Sequence, residues 1–228
     1  MRGRGHTVAV FDQGKVPYEK ATSTDVSKAI RCSWYAGDNE TYVELVERAA
    51  RKWRGWETRF GTTVYHQTGG LTILPDFAPG SPMYESWRFL QARGADDAEV
   101  LSAQEIRARF PQFIVRDEEI GFYDSWRGYL ESRRAVAQLA QLARADGVQI
   151  HEETPVLRVE ETSDSSRMVV EHGSHPFDRV VVAAGVWVGR VLPQLASRME
   201  VTRQLGYLTP AEFETHWRHQ HGDLGGAH

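Results

Sequence analysis

Apolar residues recur along this chain in two registers, consecutive β-prone runs and stretches spaced by about 3.6 residues, and each change of register predicts an element. Thr7 to Phe11 is a continuous apolar run ended by Asp12, the pattern of a strand buried on both faces of a parallel sheet. Gln13 to Thr24 is polar, contains Gly14 and Pro17, and reads as a loop. From Tyr42 the positions Leu45, Val46, Ala49, Trp53, Trp56 and Phe60 keep the helical period, and Gly61 supplies the stop. Val64 to His66 and Leu71 to Leu74 flank Thr68, Gly69 and Gly70 and predict an antiparallel hairpin. Ser81 followed by Pro82 starts a helix, and Ser102 with Glu105 has the spacing of a capping box ahead of Ile106 and Phe110. A further helix covers Ser132 to Ala145, with Val136, Leu139, Ala140 and Ala143 on one face and a stop near Gly147. Val148 to Ile150, Val156 to Val159, Met168 to Glu171 and Arg179 to Ala183 are successive strands. The last is an apolar run broken by Gly185, as where a buried parallel strand delivers the chain to a ligand. A helix from Trp187 to Leu192 and a strand near Val201 to Leu208 complete the pattern, which is that of an α/β protein with an α+β region.

Composition narrows the partners. With 228 residues there is room for one or two domains. The balance of 27 Lys+Arg against 31 Asp+Glu, net −4, argues against a general affinity for nucleic acid or for an acidic membrane surface. A small or neutral partner fits better. The single cysteine, Cys32, rules out an intrachain disulfide framework and a multi-cysteine zinc site, so a cytoplasmic location is expected. No apolar run reaches membrane-spanning length. His216, His219 and His221 have a metal-like spacing but no carboxylate or cysteine pattern around them, and no metal site is expected.

Asp12 stands where dinucleotide folds hold an adenosine ribose, since a carboxylate accepts hydrogen bonds from both hydroxyls; an aspartate in that place also commonly begins a turn. The segment Ala21 to Arg31, reading ATSTDVSKAIR, is followed by Tyr42, Trp53 and Trp56, then by Gln67 to Ile73 (QTGGLTI) and Leu101 to Pro111 (LSAQEIRARFP). Gly128 to Ser132 (GYLES) leads into a helix, and Val180 to Trp187 (VVVAAGVW) and Arg203-Gln204 close the series. In this order the blocks resemble the FAD-dependent amine and amino-acid oxidases of the D-amino-acid-oxidase, sarcosine-oxidase and fructosyl-amine-oxidase type.

The resemblance implies an FAD-binding Rossmann-like parallel sheet, incomplete here, with an interleaved α+β substrate domain. Residues 1–66 and 120–192 would form the FAD-binding part, and 67–119 with 193–228 a partial substrate domain. It implies oxidation of the C–N bond of a small amine or N-substituted amino acid, with FAD as cofactor and O2 as acceptor. Asp12 would hold the adenosine ribose, Gln13 would belong to the cofactor site, and Val156 would meet the adenine through its backbone. Thr24, Asp25, Ser27 and Lys28 would lie along the flavin or its pyrophosphate, and Ala184, Gly185 and Trp187 near the adenosine or pyrophosphate. Lys28 and Arg31 would be catalytic, Lys28 stabilising charge on reduced flavin and Arg31 facing a substrate carboxylate.

The family's Gly-x-Gly-x-x-Gly turn belongs roughly 20 residues before the acidic residue at the strand tip, yet 11 residues precede Asp12. A partial chain that binds FAD weakly is therefore expected. Two other readings stay open at this stage: a non-catalytic remnant or interaction module that binds no FAD, and a flavoprotein hydroxylase on the same type of fold.

Overall fold

A computed structural model describes residues 5–31, 40–94, 98–161 and 164–202. Cys32, Arg203-Gln204, the strand expected near Val201 to Leu208 beyond residue 202, and the histidines of the tail lie outside the described residues.

β1 (Ala9–Phe11) and β8 (Gln149–His151) pair in parallel, with Val10 opposite Ile150. β9 (Val156–Glu161), β10 (Ser166–Val170) and β11 (Gly173–Phe177) form an antiparallel meander. Phe11 joins the two sheets, stacking on His151 at 4.4 Å and meeting His175 and Phe177 edge-on or tilted at 5.3 and 6.1 Å. A third sheet runs in the order β2 (Lys28–Ile30), β7 (Gly128–Leu130), β3 (Tyr65–His66). A fourth runs β4 (Gly70–Leu74), β6 (Ile120–Asp124), β5 (Ala98–Ser102). The parallel pair and the antiparallel sheets, interleaved with helices, bear out the α/β fold with an α+β region.

The helices follow the local signals. α1 spans Glu40–Phe60, and α4 spans Ser132–Ala145. α2 (Pro82–Ala92) begins on Ser81, whose side chain accepts a hydrogen bond from the Tyr84 amide. α3 (Ala103–Arg109) carries the complete capping box, with the Glu105 amide on Ser102 Oγ and the Ser102 amide on Glu105 Oε2. α5 (Val188–Val191) is a single turn after a 3₁₀ turn at Gly185–Trp187.

Two strand expectations need correction. β3 and β4 do not pair with each other: β3 bonds to β7 and β4 to β6. The hairpin spacing is present, but Gly69 (φ 73°) turns the chain from one sheet into the next, and the partner strands make the same exchange through Ser125 to Arg127. The Gly69 amide bonding the Arg127 carbonyl at 2.9 Å locks the two crossings together. Close approach there requires glycine on the other strand, because a Cβ on Gly128 would stand 2.0 Å from the His66 carbonyl oxygen. Secondly, Val180 to Ala183 forms no ladder among the described residues, and Val181 is 69% exposed. An apolar run becomes a strand only when a neighbour supplies the ladder. Among the described residues β1 likewise bonds to β8 alone, and Val10 is 41% exposed.

Three core clusters hold the helices to the sheets. Val43, Met83, Leu90, Ala98 and Phe122 pack between α1, α2 and the β4–β6–β5 sheet. Ala50, Val64, Tyr65, Leu130 and Ala135 pack between α1, α4 and the β2–β7–β3 sheet. Leu101, Ala103, Ile106 and Val115 close the far side of β5 under α3.

Candidate functional site

The segment from Asp12 to Arg31 leaves the tip of β1, and its turns are fixed by bonds to distant parts of the chain. Asp12 Oδ1 accepts from the Gly14 amide at 2.9 Å, while the Asp12 amide donates to the His151 carbonyl and its own carbonyl accepts from Thr154. Glu152 Oε1 accepts from the Val16 amide at 2.7 Å. The turn after β8 thus clasps the turn after β1 and brings Val156, at the start of β9, beside Asp12. Gly14 is buried, and a Cβ there would lie 2.1 Å from the Tyr18 ring, so only glycine lets that ring close over the turn.

Further along, the Tyr18 ring meets Trp187 at 6.0 Å, and the buried Thr24 donates its hydroxyl to the Tyr18 carbonyl at 2.5 Å. The start of α4 receives the next residue: Ser132 Oγ and the Arg133 amide both donate to the Asp25 carbonyl, at 2.6 and 3.3 Å. Asp25 and Lys28 form a close ion pair on the surface. Gln13 and Ser27 are exposed, Ala184 is half-buried, and Gly185 is exposed with φ 54°. Asp12, Val156, Trp187, Thr24, Asp25 and Lys28 thus lie along one continuous path.

Beyond Asp25 the chain enters the β2–β7–β3 sheet. Lys28, Leu130 and Tyr65 form one cross-strand row, and Ala29, Tyr129 and His66 the next. Leu130 and Tyr65 pack with Ile30 in the core beneath α1 and α4. Strand alternation therefore turns the Ala29, Tyr129, His66 row to the other face, together with Arg31. Lys28 and Arg31, three positions apart in extended chain, point to opposite faces.

That second face is polar. The His66 and Tyr129 rings stack at 4.7 Å with planes 18° apart. His66 Nε2 and Glu131 Oε1 share a hydrogen bond of 2.7 Å, and Glu131 Oε2 accepts from Arg134 at 3.0 Å. Burial pushes the Glu131 carboxyl up, but the bonds from His66 and Arg134 outweigh it and hold the group below its ordinary value. Extending the register, Arg31 stands opposite Arg127. Arg127 is buried, donating to Thr72 Oγ1 at 2.6 Å with its Nε 3.6 Å from Asp124 Oδ2. Burial pulls its pKa down, Asp124 opposes this, and the charge of Arg31 adds to the depression.

His66, Tyr129, Glu131 and the Asp124–Arg127 pair escaped the expectations drawn from the chain. The one legible signal was the alternation of Tyr129 and Glu131 around Leu130, which places both polar residues opposite a core residue.

Asp12 Oδ1 accepts from its own turn at the tip of β1, and Lys28, paired with Asp25, stands on β2 at the edge of its sheet. Among the described residues no glycine-rich turn opens a helix beside Asp12 to receive a pyrophosphate.

No helix among the described residues is long and apolar enough to cross a membrane. The family described as FAD dependent oxidoreductase matches residues 2–225. The chain is similar to an N-methyl-L-tryptophan oxidase of Yersinia pestis (strain Pestoides F), 27% identical over 191 residues that cover 84% of this chain and 50% of that protein. It thus spans about half the length of the curated relatives it matches. Its fold is shared with NikD, an unusual amino acid oxidase essential for nikkomycin biosynthesis (TM-score 0.72, 21% identity, 85% of this chain and 49% of NikD). It is shared too with glycine oxidase from Geobacillus kaustophilus (TM-score 0.72, 18% identity, 86% and 53%). With nearly its whole length matched and its fold common to these oxidases, the chain belongs to the FAD-dependent oxidoreductase family.

Proposed function

We propose that this chain is part of an FAD-dependent oxidase that removes a hydride from the carbon beside the nitrogen of an amine or N-substituted amino acid, with O2 as the final acceptor. The imine so formed hydrolyses to an aldehyde or keto acid, and the oxygen leaves as H2O2. The observation that carries this reading is the continuous, hydrogen-bonded path from Asp12 to Arg31, with a ribose-type acid at one end and a cation on an open sheet face at the other. FAD, when bound, supplies the two-electron acceptor. Asp12, with Gln13 and Val156, holds the adenosine end. Thr24, Asp25, Ser27 and Lys28 lie along the flavin side, Lys28 placing positive charge there, and Ala184, Gly185 and Trp187 flank the middle. Arg31 clamps the carboxylate of the substrate and so fixes the carbon to be oxidised. The division into cofactor and substrate parts falls, on this reading, at the two sheet crossings near Thr68 and Ser125, with β6 joining β4 and β5 on the substrate side.

Replacing Arg31 by lysine keeps the charge and removes the fork that grips a carboxylate. Arg31→Lys is expected to weaken binding of a sarcosine-type carboxylate by about 1.5–3 kcal/mol without changing the fold. Titration followed by NMR measures this, and an unchanged affinity removes Arg31 from the site.

A second reading, a remnant that binds no FAD, is favoured by two observations: among the described residues β1 is bonded on one side only, and Val180 to Ala183 has no ladder. The 228-residue chain is accordingly expected to retain far less than one FAD per protein through gel filtration. Stoichiometric retention, read from the flavin absorbance, excludes the remnant.

A further inference from the structure

The turn after β1 and the turn after β8 are joined residue by residue. The Asp12 amide donates to the His151 carbonyl at 3.0 Å, the Thr154 amide to the Asp12 carbonyl at 2.8 Å, and the Glu153 amide to the Gly14 carbonyl at 3.2 Å. These bonds run from backbone to backbone. The next one depends on a side chain: the Val16 amide donates to Glu152 Oε1 at 2.7 Å. Glu152 is braced from behind, since Arg144 in the last turn of α4 lies 3.1 Å from its Oε2. The bond from Val16, with the charges of Arg144 and Lys15, holds the Glu152 carboxyl below its ordinary value against the burial that raises it. Beside it, Glu153 is the one non-glycine residue with left-handed backbone among the described residues, at φ 52°. Such a conformation is disfavoured by any side chain and persists only where the surroundings impose it.

Glu152 grips the far leg of the β1 turn, and Asp12 forms the near leg. Gly14 connects them, its amide on Asp12 Oδ1 at 2.9 Å and the Tyr18 ring packed where a Cβ would stand. Releasing Val16 therefore loosens the Gly14 amide, and with it the aspartate oxygen. We propose that Glu152 is a positioning residue for nucleoside recognition: braced by Arg144, it holds the turn that aims the Asp12 carboxylate at a ribose diol. The inference rests on the proposed role of Asp12, and it assigns the aim of that acid to a side chain from the neighbouring strand's turn. The first turn of α4 also holds the Asp25 carbonyl through Ser132 and the Arg133 amide, so one helix braces both the Asp12 turn and the Thr24–Asp25 segment.

The test titrates the 15N-labelled 228-residue chain with adenosine and with 2′-deoxyadenosine, which lacks one hydroxyl of the diol, following the Gly14 and Val16 amide signals by NMR. Adenosine is expected to bind about tenfold more tightly, the worth of one hydrogen bond to a charged group. Glu152→Ala should bring the two affinities together. So should Glu152→Asp, whose shorter side chain keeps the charge but falls short of the Val16 amide. Glu152→Gln keeps an acceptor of the same reach and should preserve the preference. The indole signal of Trp53, which packs in a separate core, shows whether each variant is folded, and Glu152→Asp decides if the alanine variant is not. A merely structural role would lower both affinities in step and leave their ratio unchanged, which overturns the proposal. Loss of the preference in Glu152→Gln overturns it as well, because the acceptor for Val16 is then not what matters. Asp12→Ala separates the two ideas. A preference absent from the parent, or one that survives Asp12→Ala, rejects Asp12 as the ribose acid and the proposal with it. A preference lost in Asp12→Ala but kept in Glu152→Ala and Glu152→Asp overturns the role of Glu152 alone.

Discussion

Asp124→Ala is expected to destabilise the protein by about 3–5 kcal/mol, because it strips the carboxylate from a guanidinium that has little access to water. The side chains of Asp124 and Arg127 are 4% and 10% exposed. Arg127 also stands across the register from a second cation, Arg31, which opposes its charge. Asp124 further caps the turn between sheets, accepting from the Trp126 amide at 2.9 Å. Asp124→Asn keeps a side-chain oxygen for that turn and removes only the charge, so it should lose less than the alanine variant. Urea denaturation followed by tryptophan fluorescence measures both, since Trp126 lies in the turn itself. A loss below about 1 kcal/mol in the alanine variant, the worth of an exposed pair, would show that the ion pair is not what holds the crossing.

Phe122→Ala should cost a similar amount, about 3–5 kcal/mol, by a different mechanism. Phe122 is fully buried at the centre of β6. It touches the cluster that joins α1 and α2 to the sheet, with Phe77 stacked at 6.4 Å and the Arg127 guanidinium 5.7 Å from its ring centre. Removing the ring leaves a void that a sheet bonded on both sides cannot collapse into. Phe122→Leu, which retains much of the volume, should lose clearly less. The midpoint of denaturation should shift with little change in slope, and a Phe122→Ala protein as stable as its parent would mean that the α1–α2 layer is not anchored there.

These two sites also mark where the chain stops being legible residue by residue. The helices were readable because their determinants are local. The period from Tyr42 to Phe60, the Ser81 cap and the Ser102–Glu105 box each act within a few residues, and each appears in the structure as the chain implies. The segment Ala21 to Arg31 stood out by its likeness to the family, and in the structure it is tied down by bonds such as that from Thr24 to the Tyr18 carbonyl. Neither Asp124 nor Arg127 announces a buried pair, since their burial depends on β4 and β6 closing over them.

Period by itself marked the helices, and apolar runs marked β1, β3, β4, β8, β9 and β10, whereas β2, β5, β6, β7 and β11 carried no such signal. Tertiary structure decided which strands became neighbours. Val64 to His66 and Leu71 to Leu74 have hairpin spacing, yet each pairs with a different strand more than 45 residues away, because the exchange at Gly69 is matched by the exchange at Ser125 to Arg127. Val180 to Ala183 has the composition of a buried strand but no ladder among the described residues, since hydrophobicity drives burial without choosing a hydrogen-bonding partner. The open face carrying Ala29, Tyr129 and His66 arises in the same way: three residues distant in the chain become one row only when the register of β2, β7 and β3 is set. Register is a long-range quantity, fixed by the joint packing of the core beneath the sheet, and no local window of the chain contains it.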